Sequence, residues 1–229
     1  MADIRRFGDQ LQPDLRQAFL SAIQSAVNLV DETEIEALLA ARDLPGLRRL
    51  AERLATEGFI NAAGPFLDVF ETIFRNSAAS VLTAGIPQFE ARVQSFLLGR
   101  PAFFLEGLAR DITISVRQSI ERSYASGLNT GAMARKIRQA VGILPTHEQA
   151  VNRFEESLIE KGTQPEFLER NVQLYRDRLI NWRATMIART ETLTAAHAGQ
   201  LEAWKEQLES GRLLYSRTWI EWVVTEDDR

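Results

Sequence analysis

The stretch Ala188-Arg189-Thr190-Glu191-Thr192-Leu193-Thr194-Ala195-Ala196-His197-Ala198-Gly199 sets an arginine and a glutamate two positions apart, followed by mostly small side chains. On a helix advancing about 100° per residue, Arg189 and Glu191 lie about 200° apart. They cannot pair with each other, so each must find a partner elsewhere. The spacing favours a buried or interfacial ion-pair network over a catalytic carboxylate at Glu191. Ala188, Thr192, Ala195 or Ala196, and Gly199 fall at successive turns of one face, where small side chains let another backbone approach. The carboxylates Glu226, Asp227 and Asp228 form a second group, able in principle to hold a divalent cation but more simply a solvated acidic segment. Arg135, Lys136 and Arg138 form a short basic run suited to phosphate contact. His147 reads as a surface residue in a first helical turn, and His197 as a packed or half-exposed helical residue.

The elements that carry these residues read as helical. Apolar residues recur three and four apart at Leu15, Phe19, Ile23, Val27 and Val30. Asp31 with Glu34 marks a capped start for "ETEIEALLAARD", and Leu44-Pro45-Gly46 is expected to break that helix before "GLRRLAERLA". "TEGFINAAGP", with Gly58, Gly64 and Pro65, reads as a connector. Phe66, Val69, Phe70, Ile73 and Phe74 mark the next amphipathic helix, and Pro101 opens a long one to about Ser123. Thr130 is the expected cap of a short helix with Met133, Ile137, Ala140 and Val141 inward. Thr146 with Gln149, and Thr163 with Glu166, repeat the capping-box pattern. Helical spacing then continues to about Leu208, longer than usual, which predicts either a break or a long protruding helix. "RLLYSRTWIEWVVT" is β-prone. The expected fold is mainly α, multi-helix, with a long helix near the C-terminus and a short β-prone C-terminal segment. The expected division is an N-terminal helical region, 1–122, and a second region, 123–229.

Composition narrows the function. The chain has 229 residues, 45% hydrophobic and 25% charged, which is ordinary for a folded globular chain. There is no cysteine, which removes disulfides and thiolate metal sites, and two histidines argue against a histidine-based metal site. No cofactor is expected. The N-terminal "MADIRRFGDQLQPDL" lacks the apolar core of a signal peptide. Charged residues interrupt the apolar-rich stretch from Phe59 to Leu108, so no stable membrane insertion is expected. The net charge of −4 is uneven: residues 100–189 hold 14 basic and 10 acidic side chains, the flanking regions an acidic excess. A basic middle is compatible with nucleic acid, although solvated helix faces are the simpler reading of the charge alone. Phosphate-binding glycine loops, HExxH and GxSxG are absent.

Taken together, "SGLNTGAMARKIRQAVGILPTHEQAVNRF", "IARTETLTAAHAGQLEAW" and "RTWIEWVVTEDDR" resemble the phage Mu F-like head morphogenesis proteins, the minor head or minor capsid proteins of tailed phages. The resemblance covers roughly residues 123–229. Its motif residues here are Arg189, Thr190 and Glu191, then Gly199, Trp219, and the close Asp227, Asp228 and Arg229. Family members commonly continue past this close into a segment with cysteine or histidine. The present sequence shows no such segment, so an activity housed there is not carried over.

The resemblance implies a low-copy virion protein inside the capsid near the portal, present in the host cytoplasm during assembly. Its implied partners are the portal protein, packaged DNA and other capsid proteins. Its implied role is head assembly, DNA packaging or DNA ejection, with Arg135, Lys136 and Arg138 as the residues for DNA contact. Two alternatives stay open: an enzyme domain, nuclease-like or transferase-like, using Glu191 and Asp227-Asp228, and the delivery module of a phage-derived toxin. The missing enzyme signatures favour the non-enzymatic reading.

Overall fold

The computed structural model describes residues 4–81 and 89–213. These form nine α-helices and no strand: α1 (Ile4–Asn28), α2 (Glu32–Ala40), α3 (Leu44–Arg53), α4 (Gly64–Ala79), α5 (Phe89–Leu98), α6 (Arg100–Ala125), α7 (Thr130–Ala140), α8 (Pro145–Glu160) and α9 (Pro165–Glu209). The mainly α fold read from the sequence is therefore observed. The β-prone segment at the C-terminus, from 214 onward, lies outside the described residues, as do residues 82–88 between α4 and α5.

The apolar spacing dictates how the helices pack. Leu15, Phe19, Ala22, Ile23 and Ala26 of α1 are buried and meet Phe66, Phe70 and Ile73 of α4, Leu108, Ile112 and Val116 of α6, and Ala184 and Ala188 of α9 in one core. Ile112 and Val116 of α6 face the core, and Ile114 between them is turned outward. The 122/123 boundary falls inside α6, and the core draws side chains from both sides of it. A ladder of phenylalanines extends the contact. Phe66 stacks on Phe104 with ring centroids 5.8 Å apart, and Phe74 on Phe96 at 4.5 Å.

The glycine-bearing stretch after α3 is helical rather than an open connector. Leu54–Ile60 forms a π-helical turn and Asn61–Ala63 a 3₁₀ turn that runs straight into α4. Gly58 allows the close approach to α1: a Cβ there would lie 2.6 Å from the Ala26 Cα. The wider π turn seats that bare backbone on α1 and buries Phe59 edge-on against Phe19.

Several helix starts differ from the capping patterns. Asp31 caps α2 as expected, accepting from the amides of Thr33 and Glu34. Asp43 caps α3 by accepting from Gly46, so Pro45 opens that helix instead of closing the previous one. Asn129, not Thr130, accepts from the Ala132 amide at the head of α7. Pro145 and Pro165 stand in the first turns of α8 and α9, which begin after Leu144 and Gln164 with no side-chain cap. Asn129, Leu144 and Gln164 take the extended backbone that a cap requires, and proline fixes the first turns of α3, α8 and α9.

α9 is unbroken for 45 residues, about 67 Å at 1.5 Å per residue. Of the alternatives of a break or one long helix, the second holds. Two buried arginines fasten its N-terminal half. Arg176 pairs with Glu148 of α8 at 2.8 Å and donates to the Gln139 carbonyl, both side chains being about 5% exposed. Arg183 pairs with Asp111 of α6 at 2.7 Å, donates to the Gly142 carbonyl and lies over the Phe19 ring. Gly142 sits at φ +86°, and a Cβ there would strike Ile23 at 2.5 Å, so only glycine presents that carbonyl to Arg183.

Burial sets the energy of such pairs. Replacing Glu148 by Ala leaves Arg176 buried without its counter-charge and should cost about 3–5 kcal/mol. Replacing Glu155 by Ala, which removes the partly exposed partner of Lys136, should cost about 0–1 kcal/mol. Urea unfolding of the two variants checks the contrast, and equal losses would contradict it.

Candidate functional site

The motif residues 188–199 lie in the second half of α9, where that helix crosses α4. Ala188, Thr192, Ala195, Ala196 and Gly199 are all buried, and the opposing α4 face is Phe70, Ile73, Phe74 and Ser77. Gly199 marks the closest approach: a Cβ there would stand 2.2 Å from the Phe74 carbonyl oxygen and 3.1 Å from the Phe74 Cα. The two backbones touch at that point, as the run of small residues anticipates. Ser77 donates a buried hydrogen bond to the Ala196 carbonyl at 2.8 Å, fixing the register of the crossing. Farther along, Gln207 donates to the Val81 carbonyl at 2.7 Å. Neither Ser77 nor Gln207 was legible as a partner from spacing alone, because each acts on a backbone carbonyl of a helix distant in sequence.

Arg189 and Glu191 point to opposite sides of α9, as their spacing requires. Glu191 is buried at 4% exposure, while Arg189 and Thr190 face solvent. Arg189 has no ion-pair partner among the described residues, and the C-terminal segment expected as its neighbour lies outside them. Helical geometry sends it to an outer face that no other described helix covers. Trp219, Asp227, Asp228 and Arg229, the remaining motif residues, lie outside the described residues, and so do the Glu226–Asp228 carboxylates.

The outer face continues well beyond Arg189. Trp182, Met186, Leu193, His197 and Trp204 follow one another within a sector of roughly 60° over about 33 Å of helix. Trp182 is 55% exposed, Met186 42% and Trp204 41%, and Leu201 beside them 46%. His197 is exposed. Scattered apolar residues on a surface need no explanation, but an aligned aromatic and aliphatic stripe along one helix marks a contact surface.

α5 clamps the end of this helix. Arg92 donates to Glu202 at 2.7 Å, Glu206 at 2.9 Å and Glu209 at 2.6 Å, one guanidinium reaching three successive carboxylates of α9. Burial opposes the charge on Glu202, but the hydrogen bonds from Lys205 and Arg92 outweigh it and hold its carboxyl below the usual range. The glutamates at 202, 206 and 209 repeat at turn spacing in the sequence, a signal for a shared cation on a neighbouring helix.

The basic run divides between two roles. Lys136 pairs with Glu155 at 2.9 Å and Arg138 with Glu32 at 2.8 Å. Arg135 is exposed at a groove of about 530 Å³ between α1, α7 and α9, together with Arg138, Asp177 and Asn181. The run is thus partly neutralised from within. His147 is half-buried rather than a surface residue: its ring lies edge-on to Trp182 at 5.6 Å, and its Nδ1 is buried without a hydrogen-bond partner. Burial, reinforced by the nearby Arg183, lowers its pKa below the ordinary histidine value. Among the described residues no three histidine or carboxylate side chains gather where a metal ion could sit, and no helix is long and apolar enough to cross a membrane.

Comparison with known proteins leaves the chain by itself: no family model, no curated protein and no solved structure matches it. The seam and the stripe must be read from their own geometry.

The two sides of α9 respond differently to substitution. Gly199→Ala forces α4 and α9 apart and should cost about 2–4 kcal/mol, at the upper end of ordinary single-residue effects. Arg189→Ala, on the outer face, should stay within about 0.5 kcal/mol of the parent. Chemical denaturation followed by circular dichroism measures both, and a neutral Gly199→Ala would show that the helices do not meet there.

Proposed function

We propose that the protein is a minor head protein of a tailed phage, docking at the portal inside the capsid and aiding head assembly, DNA packaging or DNA ejection. The observation that carries this reading is the two-sided use of the motif on α9. Its small residues are spent on the seam with α4, Glu191 is buried, and Arg189 and Thr190 stand on the outer face beside the apolar stripe from Trp182 to Trp204. A rigid helix that presents two tryptophans, a methionine and leucines to solvent is suited to bind a helical partner through helix-against-helix packing. A body that is helical throughout its described elements, with that face exposed, is consistent with a protein that works by docking.

DNA is the second proposed partner. Arg135 and Arg138 at the α1–α7–α9 groove are the residues that support it, and Arg138 must release Glu32 to contribute fully. The binding is therefore expected to be weak and strongly dependent on salt.

Co-purification with the portal protein of the same phage tests the first partner. The parent chain should be retained on immobilised portal rings, and Leu193→Asp combined with Trp204→Asp should abolish retention without changing the helical signal. A parent chain that never associates under assembly conditions rejects the portal assignment. For DNA, log affinity plotted against log salt should fall with a slope of magnitude roughly 2 or less, since only two arginines are offered. Arg135→Ala should flatten that slope, and a salt-independent affinity would remove DNA from the reading.

A further inference from the structure

Where the C-terminal end of α6 meets α7 and α8, a cleft of about 480 Å³ opens away from both the α4–α9 seam and the outer stripe. Its volume lies within the range of small-molecule sites. Ser119, Arg122 and Ser123 of α6, Lys136 of α7, and Asn152 and Glu155 of α8 are on its walls. Two polar groups there are unusual. Ser123 is only 2% exposed and its hydroxyl has no hydrogen-bond partner. The Nη1 of Arg122 is also buried and unpartnered, although Nη2 of the same guanidinium donates to the Gln118 side chain at 3.2 Å. Folded proteins satisfy nearly all buried polar atoms, and a charged donor is the costliest to leave unmet.

The charges around the cleft explain what is missing. Glu148 is committed to Arg176 at 2.8 Å, and Glu155 to Lys136 at 2.9 Å. Glu156, the other carboxylate on the wall, is exposed and screened by solvent. Arg122 alone among the cations here has no carboxylate partner among the described residues. A guanidinium offers only donors, and a serine hydroxyl adds one more. The group that completes both is an acceptor bearing negative charge.

We infer that the cleft between α6, α7 and α8 is a binding site for a small oxyanion, a phosphate or a carboxylate, held by Arg122 and Ser123. The fork of Arg122 supplies charge and direction, and Ser123 supplies a hydroxyl whose place in the core gives it no structural bond to make. The site is independent of the portal and DNA partners, since it shares no residue with the outer stripe or with the Arg135 groove.

Isothermal titration of the full chain with inorganic phosphate, and separately with acetate, at ionic strength held constant with sodium chloride, tests the site and distinguishes its two chemistries. Saturable one-to-one binding of at least one probe is expected. Arg122→Gln should weaken it tenfold or more, Arg122→Lys less, and Ser123→Ala several-fold. Without any probe, Ser123→Ala should melt at the same temperature as the parent, because its hydroxyl has no bond to lose; a purely structural serine would lower it. The inference is overturned if neither probe binds saturably, if Arg122→Gln binds as the parent does, or if Ser123→Ala melts distinctly lower on its own.

Discussion

The contact between the Gly199 Cα of α9 and the Phe74 carbonyl of α4 constrains everything around it. Two helices can approach this closely only where one of them has no side chain to interpose, and the Ser77 hydrogen bond to the Ala196 carbonyl is possible only at that separation. Once the crossing is fixed, the rotation of α9 about its own axis is fixed too. Glu191 must then turn inward, and Arg189, Met186, Leu193 and His197 must turn outward. The outer stripe is a consequence of the seam, not a separate feature.

A 45-residue helix with so narrow a contact at one end needs more than one anchor. The structure supplies three kinds. Apolar burial joins Ala184, Ala188, Ala195 and Ala196 to the core of α1, α4 and α6. Buried ion pairs at Arg176 and Arg183 hold the N-terminal half, where desolvation makes partner loss expensive and so defines a single register. The Arg92 clamp on Glu202, Glu206 and Glu209 holds the far end through a network that shares one cation among three carboxylates. The first contributes most of the stability, and the charged anchors determine which way α9 faces.

Much of this was legible in the sequence, and the reasons for the rest are physical. The three- and four-residue spacing of Leu15, Phe19 and Ile23, and of Phe66, Phe70 and Phe74, places those helices directly, because one buried face imposes one period. The small-residue face of α9 is visible for the same reason. The π turn at Leu54–Ile60 is not, since the bare backbone of Gly58 reads as a break until Ala26 is known to lie against it. Pro45 misleads similarly: its fixed φ suits a helix start as well as a stop, and only the Asp43 cap decides. The arginines at 176 and 183 look like solvated charges in sequence; their burial depends on Glu148 and Asp111, 28 and 72 residues away. Arg122 and Ser123 give no sequence signal, because an unpartnered buried atom is a property of the packed interior.

The claim on which the account rests is that α4 and the second half of α9 form one cooperative unit. Native-state hydrogen exchange measures this directly by assigning an opening free energy to each amide. The amides of Phe70 to Ala78 and of Thr192 to Ala203 should open together, at the free energy of global unfolding, while those of the first turns of α9 near Phe167 open well below it. If the amides of Thr192 to Ala203 exchanged at markedly lower free energy than those of α4, the seam would not be the constraint that orients α9, and the account would fail.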